Sequence, residues 1–90
     1  MALKKYVVRF VRPGKSQGEP HEIQAREPVD AALGVMMDYK TYDLAKLLKQ
    51  HGEVMSVVNG SGPPVYFDVE TIFSEVNSRT TNMRIHNDES

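Results

Sequence analysis

Three histidines, His21, His51 and His86, are the residues in this chain best suited to metal ligation or proton transfer. A helix-borne metal site needs two ligands on one face, and H-x-x-x-H spacing supplies them. No two of these histidines have that spacing, and none sits beside a carboxylate at helical spacing in a way that makes a site. The chain has no Cys, which removes thiolate ligands, disulfides and a thiol nucleophile together. His51 follows Lys49 and Gln50, where an imidazole would interact with the last carbonyls of a helix. His21 reads as a surface residue where a strand begins.

The loop RPGKSQGEP, residues 12 to 20, combines Lys15 with two glycines. A phosphate-cradling P-loop needs the order G-x-x-x-x-G-K-[ST] and a following helix, and neither is present. If the loop binds anything, Arg12 and Lys15 suit a phosphate backbone or an acidic partner. Ser56, Ser61 and Ser74 lack the strand–turn–helix setting that exposes a catalytic serine. The expectation is therefore a non-enzyme with no cofactor and no metal.

Charge is uneven even though the formal net charge is only −1. Residues 1–15 carry Lys4, Lys5, Arg9, Arg12 and Lys15 and no acid; residues 50–75 carry Glu53, Asp68, Glu70 and Glu75 and no Lys or Arg. Two solvated faces would account for this, and so would a polar molecule that docks by one end. Tyr39 and Tyr42 flank a charged turn, and tyrosines in such places serve either as interface anchors or as half-buried rim residues. Met36 and Met37 are adjacent, so a helix cannot point both into one core. One of them fills a gap or offers an adaptable patch to a partner. The candidate partner-binding set is Arg9, Arg12, Lys15, Met37, Tyr39 and Tyr42.

Several elements must position these residues. Tyr6, Val8 and Phe10 alternate with Val7, Arg9 and Val11, which predicts a strand buried on much of both faces and central in its sheet. HEIQARE, with Ile23 and Ala25 facing one way, predicts a second strand, antiparallel to the first across the loop. Pro28 opens a helix with Val29, Ala32, Leu33 and Met36 on one stripe. After a break at 38–41, Thr41 or Asp38 would cap a second helix carrying Leu44, Leu47 and Leu48, and Gly52 would end it in the left-handed conformation. A short strand over about 53–58, the turn Asn59-Gly60-Ser61-Gly62, and a return strand delayed by Pro63 and Pro64 make a second hairpin. Asp68 would cap a last helix with Val69, Ile72, Phe73 and Val76 on its inner stripe. The hairpin over 53–67 reads as a corner of the core, through Val54, Val57, Val65 and Phe67.

Residues 41–52, TYDLAKLLKQHG, followed by VMSVV, the Gly/Pro turn, VYFD and a helix, are similar to the helix-turn-helix and wing of excisionase and MerR-like regulators. The similarity covers about 41–76. It implies a DNA-binding regulator, with Lys46, Lys49, Ser56 and Asn59 as candidate contacts beside basic residues of the first hairpin. EVMSVVNG departs from that pattern. It is β-branched, and it has no Arg, Lys or Gln to read bases or grip phosphates.

At 90 residues the chain makes one domain, with room for one core and little for an enclosed active site. The expected fold is a small α+β domain over 1–78. It has an antiparallel sheet of three to four strands in two hairpins, with two to three helices packed on one face. Residues 79–90 read as a polar, disordered tail. MALKKYVVRF lacks a signal-peptide apolar core and no run is long enough to span a bilayer, so a cytoplasmic protein without a membrane partner is expected. The functional expectation is an adaptor or inhibitor, of a kind phages or accessory elements encode, acting through protein–protein contacts. The alternatives are a DNA-binding regulator, a homodimer, and a subunit of a larger assembly.

Overall fold

The computed structural model describes residues 3–12 and 18–78. Four strands form one sheet: β1 (Lys4–Val11), β2 (His21–Ala25), β3 (Val54–Asn59) and β4 (Val65–Asp68). Their order is β2-β1-β3-β4, and every neighbouring pair is antiparallel. β1 therefore lies inside the sheet, as its apolar content on both faces requires. Between β2 and β3 run α1 (Pro28–Met36), a 3-10 turn (Met37–Tyr39) and α2 (Leu44–His51). That connection passes over β1 to reach its far side. A last helix, α3, is described over 69–78.

Register decides which side chains meet the helices. Tyr6 pairs with Ile23 and Asn59, Val8 with His21 and Val57, and Phe10 with Met55, which in turn pairs with Phe67. Tyr6, Val8, Phe10, Met55 and Val57 are buried in one core with Ala31, Ala32, Val35 and Met36 of α1, Leu47 of α2, and Val69, Ile72 and Val76 of α3. All three helices pack on this face, and the domain is only 15 Å across its thinnest axis. The opposite face carries Val7, Arg9, Val11, Val54, Ser56, Val58 and Tyr66. Val54 thus lies on the uncovered face, half-buried, and Val65 is exposed at the start of the edge strand. Neither joins the core as the sequence suggested.

α1 is the middle of the helical layer. Its buried positions, Ala31, Ala32, Leu33, Val35 and Met36, run most of the way round it, as in a helix covered on several sides. Gly34 lets it approach β2, because a methyl there would overlap Ile23 Cδ1. α2 is amphipathic, with Leu47 buried and Leu44 and Leu48 half-buried. Its cap is Asp43, whose carboxylate accepts from the Ala45 amide at 3.1 Å, rather than Thr41 or Asp38. Asp43 alone stands immediately before the first helical residue, where an N-cap side chain can reach the free amides. Gly52 ends α2 with φ +113° and ψ 176°, an extended positive-φ conformation outside the left-handed helical region. Its amide donates to the Leu48 carbonyl at 3.0 Å, and a side chain at this position would run into the Val11 carbonyl and the Arg12 stem.

Candidate functional site

Five rings, each from a different segment, meet at the end of the sheet where β1 finishes and β2 begins. Phe10 comes from β1, His21 from the first position of β2, Tyr39 from the 3-10 turn, Tyr42 from the link to α2, and His51 from the last residue of α2. Tyr39 is the hub. Its centroid lies 5.2 Å from Phe10, 5.1 Å from Tyr42, 5.3 Å from His51 and 6.2 Å from His21. Each of these four contacts is edge-to-face, the arrangement that the ring quadrupoles favour. Phe10 closes the base of the cluster, 5.2 Å from His51 and 6.2 Å from His21.

A cavity of about 230 Å³ opens beside the cluster, lined by Phe10, Arg12, Gly18, Glu19, His21, Tyr39, Gln50 and His51. Two hydrogen bonds to backbone carbonyls shape it. The Gly18 amide donates to the Phe10 carbonyl at 2.9 Å, drawing the returning chain against β1. Arg12 donates to the Lys49 carbonyl at 3.1 Å, satisfying one of the open carbonyls at the end of α2. Burial raises the pKa of Tyr39 above its ordinary value, and the nearby Tyr42, Asp38 and Glu19 add to the rise. Its phenol therefore stays protonated, and a donor, at neutral pH.

The lining offers a guanidinium, an amide, two imidazoles and a phenol against one carboxylate, with aromatic walls. Among the described residues, the lining has no serine, threonine or cysteine. Among the described residues no group of three His, Cys, Asp or Glu side chains could hold a metal ion. What the arrangement can do is grip a small polar or planar group.

Of the residues singled out in the sequence, Arg12, Tyr39 and Tyr42 come together here. Met37 is 45% exposed on the same 3-10 turn as Tyr39, while its neighbour Met36 is buried. Arg9 is separated from them, because strand alternation places it on the uncovered sheet face. Lys15 and residues 79–90 lie outside the described residues. Lys46 and Lys49 are exposed on α2. Ser56 is only 5% exposed, flanked by Arg9 and Tyr66 across the strands of the uncovered face, and Asn59 is exposed at the end of β3. The segment after Gly52 is thus a sheet strand, and Lys46, Lys49, Ser56 and Asn59 do not share one surface.

His21 and His51 were the residues that sequence reasoning missed. The signal for His21 was present, since Ile23 and Ala25 face the core and strand period places His21 on their side. For His51 no local signal existed, because its partners come from β1, β2 and the 3-10 turn.

A second, larger hollow of about 850 Å³ lies between α2, the start of β3 and α3. Glu53, Asp68, Glu70 and Glu75 all line it beside Leu48 and Val54, so the acidic stretch of the sequence becomes one acidic concavity. No described helix is long and apolar enough to cross a membrane.

The fold and the cavity together define a two-layer α+β domain with an aromatic, donor-rich recess at one end of its sheet. No family model matches this chain, no curated protein matches it, and no solved structure matches it.

Proposed function

We propose that this protein is a small non-enzymatic binding domain, an adaptor or inhibitor acting in the cytoplasm. It docks on another protein through the end of the domain that carries Tyr39, Tyr42, Met37 and Arg12. The observation that carries this reading is that Arg12 and Tyr39, far apart in sequence, line one recess, with Tyr42 packed on Tyr39 at 5.1 Å and exposed Met37 on the same 3-10 turn. Tyrosine, arginine and methionine are the residue types enriched in protein interfaces. The size of the recess supports the same reading. Small-molecule and cofactor sites run to about 300–1,000 Å³, whereas this one holds about 230 Å³, the scale of one inserted side chain.

The test is quantitative affinity for captured host proteins, comparing wild type with the combined variant Arg12→Ala, Tyr39→Ala, Tyr42→Ala. A partner whose affinity falls at least about a hundredfold, as loss of a central anchor cluster implies, supports the reading. Unchanged affinity for every partner sinks it, provided circular dichroism shows the variant folded.

A further inference from the structure

We propose that the recess at the sheet end receives the carboxylate side chain of an acidic residue on the protein partner, with Arg12 as its principal ligand. This rests on the protein-binding reading above and adds the chemistry of the anchor.

The charge inventory of the lining sets the preference. Arg12 carries five N–H donors, and the structure uses its NH2 group on the Lys49 carbonyl. The remaining donors of a planar fork suit a carboxylate, and that hydrogen bond also fixes the guanidinium in place before any ligand arrives. Gln50 adds an amide. His21 and His51 add imidazoles whose ring centroids lie 6.2 and 5.2 Å from that of Phe10. Among the described lining residues a single carboxylate, Glu19, stands against these, and it is exposed.

Two other occupants fit less well. An aromatic cage for an alkylated ammonium uses ring faces and tolerates no cation in its wall. Here Arg12 lines the recess, and Phe10 is almost fully buried, so its face is spent on the core. A phosphorylated nucleotide exceeds the available volume. A short acidic side chain matches both the volume and the excess of donors. Its desolvation at such a site is offset by charge-assisted hydrogen bonds, each stronger than a neutral one.

The experiment is an NMR titration of the full chain with three blocked amino acids at constant ionic strength. The probes are N-acetyl-glutamate methylamide, the glutamine analogue, and the trimethyllysine analogue. The glutamate probe is expected to shift the ring protons of His21 and His51 and to saturate in the millimolar range. The glutamine analogue should bind at least about tenfold more weakly, the factor one charge-assisted bond implies. Arg12→Gln should abolish that difference. Arg12 also ties β1 to α2, so Glu19→Gln serves as the second variant. It removes the opposing charge at an exposed position and should tighten glutamate binding.

The proposal is overturned if the trimethyllysine or glutamine probe binds as tightly as glutamate, or if no probe gives a saturable shift. The two readings can fail separately. Loss of partner affinity in the Tyr39/Tyr42 variants without any probe binding removes the acidic anchor and leaves the docking surface. Glutamate binding with partner affinity unchanged by those variants leaves the recess and removes the docking reading.

Discussion

Arg12 donates to the carbonyl of Lys49 across 3.1 Å, tying the residue just past β1 to the last turn of α2. The bond joins two elements that the sequence keeps far apart, and it holds His51 where its ring meets Phe10 and Tyr39. It is exposed and charge-assisted, so its stabilising effect is modest. Replacing Arg12 with Ala should cost about 1 kcal/mol, below the ~1.5–3 kcal/mol of hydrogen bonds to charged groups because this one is exposed to solvent. Urea denaturation gives the stability change. NMR of the His51 ring should show a changed environment, whereas Arg9→Ala, on the other sheet face, should leave that ring unmoved.

Gly52 makes the same junction possible from the backbone side. Its φ of +113° is one that L side chains rarely adopt, and the Val11 carbonyl and Arg12 stem leave no room for a Cβ. Gly52→Ala therefore meets strain and a clash together. A destabilisation of about 2–4 kcal/mol is expected, measured by thermal or urea unfolding. Gly60→Ala is the contrast. Its φ is +58° but a Cβ would meet nothing within 4 Å, so it should cost less, about 1–2 kcal/mol of conformational strain alone.

How much of this was legible in the sequence follows from the range of each interaction. The alternation in Tyr6–Val11, the Gly/Pro turn at 59–64 and the stripe of Val69, Ile72 and Val76 are local patterns, and they appear in the structure as read. The cap of α2 was misplaced by a few residues, since 38–43 offers three competing cap-formers and only the helix start chooses among them. Val54 reads as core because apolar residues in a hairpin do not reveal their face without the register, whereas Val65 shares the core-facing side with Val57 but is exposed at the start of the edge strand. The recess depends on strand order. Phe10 and His21 are near each other through the β1–β2 pairing, but Tyr39 and His51 join only because the crossover returns α2 over the end of β1.

The contact of α1 with β2 predicts a coupling between Gly34 and Ile23. Gly34→Ala gains about 1 kcal/mol of helix propensity but pushes its methyl into Ile23 Cδ1. The single change should come out close to neutral. Ile23→Val deletes that Cδ1 and costs about 0.5–1.5 kcal/mol alone. Combined, the two should be more stable than their sum by at least about 0.5 kcal/mol, the size expected for residues in direct contact. A double-mutant cycle by urea unfolding measures it, and strict additivity would mean that the helix and strand stand further apart.

Tyr39 predicts the alkaline limb of stability. Its folded pKa lies above the ordinary 10.0, through burial first and then through Tyr42, Asp38 and Glu19. Above pH 10.0 the unfolded chain has released this proton while the folded chain still holds it. The folded state then binds more protons, so unfolding free energy falls as pH rises. The contribution is fully present below the ordinary value and is lost as pH climbs through the raised one. Tyr39→Phe should flatten the fall in urea midpoint above pH 10.0. It should also remove a phenol that titrates above the ordinary value from an ultraviolet absorbance titration.

The remaining prediction concerns nucleic acid, the partner class implied by the similarity to excisionase and MerR-like regulators. A duplex-reading surface gathers Lys and Arg on one face, and its affinity falls steeply with salt as counterions are released. This domain gathers carboxylates instead. Glu53, Asp68, Glu70 and Glu75 line one concavity against β3 and α3, the region that would have to approach the groove. Ser56 is buried, and the strand bearing it is fixed in the sheet between β1 and β4. Fluorescence anisotropy with labelled random duplex should therefore show no saturable binding at low micromolar protein, even at low salt. Salt-sensitive binding would reverse this expectation. It would also direct mutation to Arg9, Lys46 and Lys49, whose replacement should then weaken affinity about uniformly across sequences, as phosphate contacts do.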